Sequence, residues 1–397
     1  MASIMRPDEI ILHIGPSKCA STTVQHALRD RKAELVAHGV RVITGRSDAI
    51  SDLFGGNYLS DIIAARPGAW NELVRDANRP GAQRVIISNE MLSFADEHVL
   101  ARLLYSLEAS RITVLFAVRP LARILPSYWQ ERAKAGSTGT LEEWAADTVR
   151  QGSGASDQAP SSRFWRAQRH DQLAARWSAA IGPGRVRVAV LNEAQPNVVF
   201  GALAEVMGVP STLFDGVPSV SNRSLTALES AALQQINVAL ASEPGARLLS
   251  RTVSGAVANR MLRAGVSGGP ALSLPSQLTD DVRAIQTEIV SGLRASGVHI
   301  SGDIETLNSV QADAPQRASD NSSGDAVVSV EVASRVVADG VLAALGVAGV
   351  VQTNEAWSSN GFTQRKALLP SRTMVRALVS ALKYRLSVRV RRLRGRV

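Results

Sequence analysis

Four apolar, β-branched runs, each closed by a polar residue or a glycine, punctuate the first half of the chain: EIILHIG (9–15), RVIISNE (84–90), RITVLFAVR (111–119) and RVRVAVLNE (185–193). Runs without polar alternation predict strands buried on both faces, as in a parallel sheet. VRVIT (40–44) is a weaker fifth candidate. Helical segments fall between them, at about 20–37, 65–78, 97–108, 120–135, 163–181 and 197–208. This alternation predicts an α/β domain over 1–215, three layers deep (α/β/α) around a central parallel sheet. Beyond 215 the pattern turns helical, with SLTALESAALQQINVALA (224–241) and AVVSVEVASRVVADGVLAAL (326–345) the best segments, so 216–360 is expected to be a mostly helical extension. RQGSGASDQAPSSR (150–163), rich in Gly, Ser and Pro, predicts an excursion beside the carboxyl ends of the strands.

Those carboxyl ends are where chemistry is expected. Open α/β sheets bind ligands beyond the carboxyl ends of their strands, and the runs end at Gly15, Glu90, Arg119 and Glu193. The first runs directly into HIGPSKCASTTVQ (13–25). A strand, a turn and then a helix present backbone N–H groups and the positive end of a helix dipole to an anion. Gly15 and Pro16 set the turn, Lys18 adds a charge, and Ser21, Thr22 and Thr23 add hydroxyls at the helix start. Charge-assisted hydrogen bonds of about 1.5–3 kcal/mol each could hold a phosphate-sized group there. The alternative is a helix capped by serine or threonine with no ligand. The nucleotide P-loop, G-x-x-x-x-G-K-[ST], places its lysine directly before the metal-binding hydroxyl. In GPSKCAST the lysine follows the glycine by three and no GK[ST] ending exists, which argues against a triphosphate and magnesium.

Charge changes the picture only at one end. The formal net charge is +9, but from Gly361 onward there are 11 basic residues and no acid. Of the 44 Lys and Arg, 33 therefore lie in 1–360, against all 35 Asp and Glu, leaving that part at −2. The basicity belongs to a tail, 361–397, for which three readings stand: peripheral contact with an anionic membrane, a polyanion, or a solvated end. Specific nucleic-acid binding is not expected, because aromatic residues do not interleave the charges. One cysteine, Cys19, excludes an intrachain disulfide and a cysteine-cluster metal site. VLAALGVAGVV (341–351) is too short to span a bilayer, and MASIMRPDEIILHIG has no secretory pattern. The expected location is the cytoplasm, or the inner face of the membrane if the tail binds there.

The residues resemble a family at this point. HIGPSKCASTTVQ is similar to the 5′-phosphosulfate-binding loop of sulfotransferases that use 3′-phosphoadenosine 5′-phosphosulfate (PAPS), particularly bacterial members. The resemblance implies the P-loop-like sulfotransferase fold. It matches Lys18 to the family lysine and Ser21 and Thr22 to its paired hydroxyls, with Thr23 following. Ala20 stands where the family has glycine, and Cys19 where it has serine or threonine. FAVRPLARILPSYWQERAKAG (116–136) resembles the 3′-phosphate segment, in which an arginine ends a strand and a serine follows eight positions on; Arg119 and Ser127 meet both conditions. Both also make sense without the family. A strand-end arginine can fork onto a phosphate, and Ser127 lies two helical turns further on. ISNEML (87–92) and HDQLAARWSAAIGPGRVRVAVLNE (170–193) resemble later family segments, and the likeness covers about 1–210.

Together these imply transfer of a sulfuryl group from PAPS to a hydroxyl of a carbohydrate or glycolipid, with no metal required. Gly15, Lys18, Cys19, Ala20, Ser21, Thr22, Thr23, Arg119 and Ser127 would hold the donor, and Lys18 and Glu90 would carry the chemistry. Glu90 is the expected base, with a purely structural role as the alternative. His13 is expected to be a buried strand residue, His26 is a rival base, and Glu193 is expected to order a loop. Tyr128, Trp129, Gln130 and Lys134 could meet the acceptor, or Tyr128 and Trp129 could be core. The 216–360 region would complete or flank the acceptor site. A kinase-like phosphotransferase and a degenerate sulfotransferase fold acting as a polyanion or membrane adaptor are the other readings.

Overall fold

The computed structural model describes residues 7–56, 66–152, 163–192, 197–217, 224–241, 247–264 and 270–308. The segments 326–345 and 341–351, the 361–397 tail, most of the 150–163 excursion and Glu193 lie outside the described residues. The chain divides into two compact units. The first draws on Met1–Ile124, Asp147–Asn222 and Ser276–Gln311, and the second on Leu125–Ala146, Arg223–Pro275 and Ala312–Val397.

The first unit is built on a six-stranded, wholly parallel sheet. Its strands are β1 (Glu9–His13), β2 (Val40–Thr44), β3 (Arg84–Ser88), β4 (Ile112–Val118), β5 (Val186–Val190) and β6 (His299–Ser301), in the order β2-β3-β1-β4-β5-β6. All seven residues of β4 are buried. Successive side chains in a strand point to opposite faces, so the sheet is covered on both sides, as an α/β/α sandwich requires. The connections are helical. α1 (Ser21–Asp30) and α2 (Lys32–Ala37) lead from β1 to β2, and α3 (Ser47–Leu53) and α4 (Ala69–Ala77) lead from β2 to β3. A 3₁₀ turn, Glu90–Phe94, and α5 (Glu97–Leu107) precede β4. Between β4 and β5 come α6 (Leu121–Lys134), α7 (Leu141–Gly152), α8 (Arg163–Gln168) and α9 (His170–Ile181). Between β5 and β6 come α10 (Val198–Met207), α11 (Ala227–Ala241), α12 (Arg247–Ala264) and α13 (Thr279–Ala295).

All five expected strands form, the weak one included. The chain leaves β1 toward the β2 edge, returns through β3, and then crosses to β4 on the other side of β1. The reversal makes the carboxyl end of β1 a topological switch point, flanked by the ends of β3 and β4. Two expected helices are broken: 20–37 turns at Arg31 (φ −96°, ψ 17°) and 163–181 at Arg169 (φ −75°, ψ 79°). The sixth strand and α13 come from 276–308, where only three residues form the strand. A strand that short carries no periodicity to read. α13 packs on α9, and the buried Gln286 Oε1 accepts a 2.8 Å hydrogen bond from the Leu121 N–H that opens α6.

In the second unit α11 packs against α12, and buried amides tie loops to helices. Gln130 Nε2 donates to the Leu225 carbonyl (2.7 Å) and Ser230 Oγ (3.0 Å), and Asn237 Nδ2 donates to the carbonyls of Ala133 and Ser137, both at 2.8 Å.

Two histidines are fully buried in the first unit. His13 Nδ1 lies 2.7 Å from Ser88 Oγ, its cross-strand partner on β3, and His170 Nε2 lies 3.2 Å from Gln168 Oε1. Burial lowers both from 6.5 to about 4, so both are neutral at pH 7. The unfolded chain protonates them near pH 6.5, so it binds more protons than the native state between these values, and stability falls as pH drops from about 6.5 toward 4. The loss is roughly 3 kcal/mol per histidine. Urea midpoints measured from pH 7 to pH 4.5 should decline steadily, with a shallower slope in His13→Asn. An identical slope in wild type and variant would show that His13 titrates alike folded and unfolded.

Candidate functional site

β1 ends at His13, and the chain enters the loop through Ile14, whose N–H bonds the Leu115 carbonyl (3.1 Å). The Gly15 carbonyl accepts from Ala117 N–H (3.2 Å), so the exit of β1 stays stitched to β4 after the strand has formally ended. On the other side the His13 carbonyl accepts from Asn89 N–H (3.0 Å). Gly15 has φ +92° and precedes a cis bond to Pro16. A Cβ at Gly15 would stand 2.9 Å from Glu90 Cα and Cβ, so only a hydrogen fits between the loop and the Glu90 turn. This is a close backbone approach of the kind glycine alone permits.

The turn then tightens. Cys19 N–H donates to the Pro16 carbonyl (3.3 Å) and Ser21 Oγ donates to the same carbonyl (2.8 Å). Lys18 and Ala20 both adopt left-handed backbone, φ 69° and 58°. Ala20 is the N-cap of α1 and makes no side-chain cap. Sequence had left open a helix capped by serine or threonine; here the hydroxyl of Ser21 is spent on Pro16, one position inside the helix. The first N–H groups of a helix have no intrahelical acceptor, and at α1 the cap residue supplies none. Thr22 is exposed and Thr23 half-buried at this end.

Cys19 shows what surrounds the loop. Its thiol is completely buried and is pushed up to about 12, chiefly by desolvation. Opposing that are the charge of Arg119 and a hydrogen bond from the Arg119 backbone, with smaller effects of Glu90, which raises it, and Lys18, which lowers it. The loop after β1, the end of β4 and the start of the Glu90 turn meet at Gly15, whose carbonyl accepts from Ala117 N–H and whose Cα faces Glu90, and all three act electrostatically on the Cys19 thiol. Two cations and one carboxylate there, together with a helix N-terminus, make the local field favourable to an anion. Glu90 is half-buried and opens the 3₁₀ turn rather than ending the strand; its carbonyl accepts from Ser93 Oγ (2.7 Å).

Ser127, half-buried on α6, belongs to the second unit, as do Tyr128, Trp129, Gln130 and Lys134. The Tyr128 ring stacks on Trp144 (5.8 Å, 8°), whose ring also lies 5.8 Å from the Arg132 guanidinium. Trp129 is buried, its Nε1 donating to the Gly139 carbonyl (3.1 Å). Gln130 is buried and Lys134 pairs with Glu131 (2.9 Å). These contacts favour a packing role for Trp129 and Gln130. His26 is half-buried on α1. Two residues at the loop carried no signal in sequence. Gln168, fully buried, donates from Nε2 to the Ser17 carbonyl (3.1 Å), and His170 holds the Gln168 amide from behind. An amide inside a helical stretch reads like any other helix residue. Among the described residues no group of three or more His, Cys, Asp or Glu could hold a metal ion, and no helix is long and apolar enough to cross a membrane.

No protein-family model matches the chain, and no curated protein matches it. Among solved structures it is similar to a crystal structure of a sulfotransferase from Alicyclobacillus acidocaldarius. The identity is 18%, the TM-score 0.38, and the match covers 59% of this chain and 93% of that one. A likeness at that level carries no weight for activity.

Left-handed backbone at a residue with a Cβ costs about 1–2 kcal/mol, of which glycine's larger unfolded-state entropy would return part. Ala20→Gly should therefore stabilise the protein by roughly 0.5–1 kcal/mol in urea titration; a destabilised variant would contradict the left-handed cap. A thiol displaced from 9.0 to about 12 should be alkylated at pH 8 about a thousandfold more slowly than an exposed cysteine, with normal reactivity restored in denaturant. Rapid labelling of the native protein would place Cys19 at the surface instead.

Proposed function

We propose that the protein is a sulfotransferase that moves a sulfuryl group from PAPS to a hydroxyl of a carbohydrate or glycolipid. The observation that carries this reading is the uncapped start of α1, held at the switch point with Lys18, Arg119 and Glu90 gathered around the Cys19 turn. The donor's fit is supported by a cradle without a side chain at Gly15, by a helix start that its N-cap residue Ala20 does not cap and by two cations for its phosphates. Magnesium is not needed to neutralise the leaving group if Lys18 and the helix dipole do so.

In this reading the acceptor oxygen attacks sulfur in line, forming the new S–O bond as the bond between sulfur and the bridging phosphate oxygen breaks. The electron pair departs with the phosphate oxygen, beside Lys18 and the loop N–H groups. The acceptor's proton passes to the Glu90 carboxylate. The products are a sulfate ester and 3′-phosphoadenosine 5′-phosphate. Gly15 shapes the loop, and Cys19 and Ala20 set its turn. Ser21, Thr22 and Thr23 line the helix start, and Arg119 takes the 3′-phosphate; Ser127 enters through its motif position alone. The acceptor class rests on the resemblance to bacterial members, as does contact of the 361–397 tail with an anionic membrane.

Calorimetric titration with 3′-phosphoadenosine 5′-phosphate, with and without magnesium, tests the donor site. Metal-independent binding is expected, weakened about 10- to 100-fold in Lys18→Ala and in Arg119→Ala, the equivalent of one charge-assisted bond. Wild type that binds no bisphosphate, or that binds a nucleoside triphosphate only with magnesium, would sink the proposal, the second result in favour of a phosphotransferase. In a labelled-sulfate transfer assay over candidate glycans, Glu90→Gln should keep bisphosphate affinity and lose about 10²- to 10⁴-fold in turnover. Undiminished turnover would remove Glu90 as the base.

A further inference from the structure

Two walls of the candidate site, the Lys18 loop and the Glu90 turn, are separate in sequence, and both are gripped from behind by one short stretch. At the corner between α8 and α9, Gln168 Nε2 donates to the carbonyl of Ser17, the residue before Lys18 (3.1 Å). The other end of that amide is fixed by His170, which burial keeps neutral. With Gln168 Oε1 as acceptor, His170 must carry its proton on Nε2, and its Nδ1 is buried without a hydrogen-bond partner among the described residues. The amide therefore cannot flip without losing both bonds.

The second grip reaches the other wall. Arg176, two turns into α9, donates from one terminal nitrogen to the Ser93 carbonyl (2.9 Å) and to the Arg166 carbonyl on α8 (3.1 Å). Ser93 in turn bonds the Glu90 carbonyl through its hydroxyl (2.7 Å). The Arg163 guanidinium, at the start of α8, lies 5.9 Å from the centre of the Phe94 ring in the same 3₁₀ turn. One six-residue helix and the corner after it thus touch both walls, which also meet directly where Gly15 passes Glu90.

We propose that the α8–α9 corner is a brace that sets the spacing of Lys18 and Glu90, with Gln168 positioning the loop and Arg176 positioning the carboxylate turn. Neither is a catalytic residue; each acts through main-chain carbonyls on the group that does the chemistry. The proposal rests on the reading that Lys18 and Glu90 act in the transfer, but the brace has a signature independent of that reading. If it exists, each arm can be cut separately. Gln168→Ala frees Ser17 and should loosen the loop, whereas Arg176→Ala frees Ser93 and should loosen the Glu90 turn.

Hydrogen exchange on the ligand-free, full-length protein reads this first. The expected result is at least tenfold faster exchange of amides in 17–23 with 90–94 unchanged for Gln168→Ala, and the reverse for Arg176→Ala. Gln168→Met, which keeps the volume, and Arg176→Lys, which keeps one donor and the charge, serve if an alanine variant fails to fold. The second reading is functional. Gln168 variants should weaken 3′-phosphoadenosine 5′-phosphate at least tenfold, and Arg176 variants should lower kcat at least tenfold with that affinity kept within twofold and partial rescue by lysine. Uniform acceleration of exchange across the first unit, or none in either segment, would overturn the brace. The expected exchange pattern in the variants, together with a wild-type protein that binds no bisphosphate, would leave the brace standing and remove the sulfotransferase reading.

Discussion

A hydrogen atom in place of a side chain at Gly15 lets the main chain leaving β1 run directly against Glu90, where any Cβ would stand 2.9 Å from the Glu90 backbone. That approach sets the position of everything downstream. It holds the carboxylate turn against the loop, aims the chain into the Cys19 turn, and fixes where α1 begins relative to the ends of β3 and β4. The positive φ at Gly15 belongs to the same constraint, because the chain must change direction in the space of one residue while the Ile14 N–H and the Gly15 carbonyl stay bonded to β4.

From this pinned exit the electrostatics follow. The fold spends its local hydrogen bonds on keeping the turn tight: Pro16 accepts from both Cys19 and Ser21, and the Arg119 backbone bonds Cys19. None of these bonds caps α1. A helix start with no side-chain cap, next to Lys18 and Arg119, presents main-chain N–H groups and the positive end of the helix dipole in a setting that favours an anion. Left-handed backbone at Lys18 and Ala20 carries an energetic cost, and strain of this kind persists only where surrounding structure over-determines it. Here that structure is the sheet on one side and the α8–α9 corner on the other.

The second unit follows a different logic. Its contacts are buried amides satisfying loop carbonyls and aromatic rings stacked against the α6 surface, as with Tyr128 and Trp144. Those bonds define packing and loop shape, and the alternative in which Trp129 faces an acceptor gives way to a buried ring with its N–H spent on Gly139.

By itself the amino-acid sequence determined the strands, because continuous β-branched runs have no other stable home than a sheet covered on both faces, and it determined the loop after β1, because glycine, proline, lysine and hydroxyls in that order leave few alternatives. It also placed His13 in the core, Arg119 directly after β4 and Glu90 in the turn just past β3. Only the tertiary structure decided that the strands order themselves with β1 between β3 and β4, since register and neighbour choice depend on long-range packing that no local pattern encodes. The same is true of the cap. Ser21 reads as a capping residue in sequence, and only the fold, by moving the helix start to Ala20, turned it toward Pro16. β6 and Gln168 were illegible because their roles lie in contacts with residues 100 or more positions away, and His170 because burial reverses the usual behaviour of its side chain.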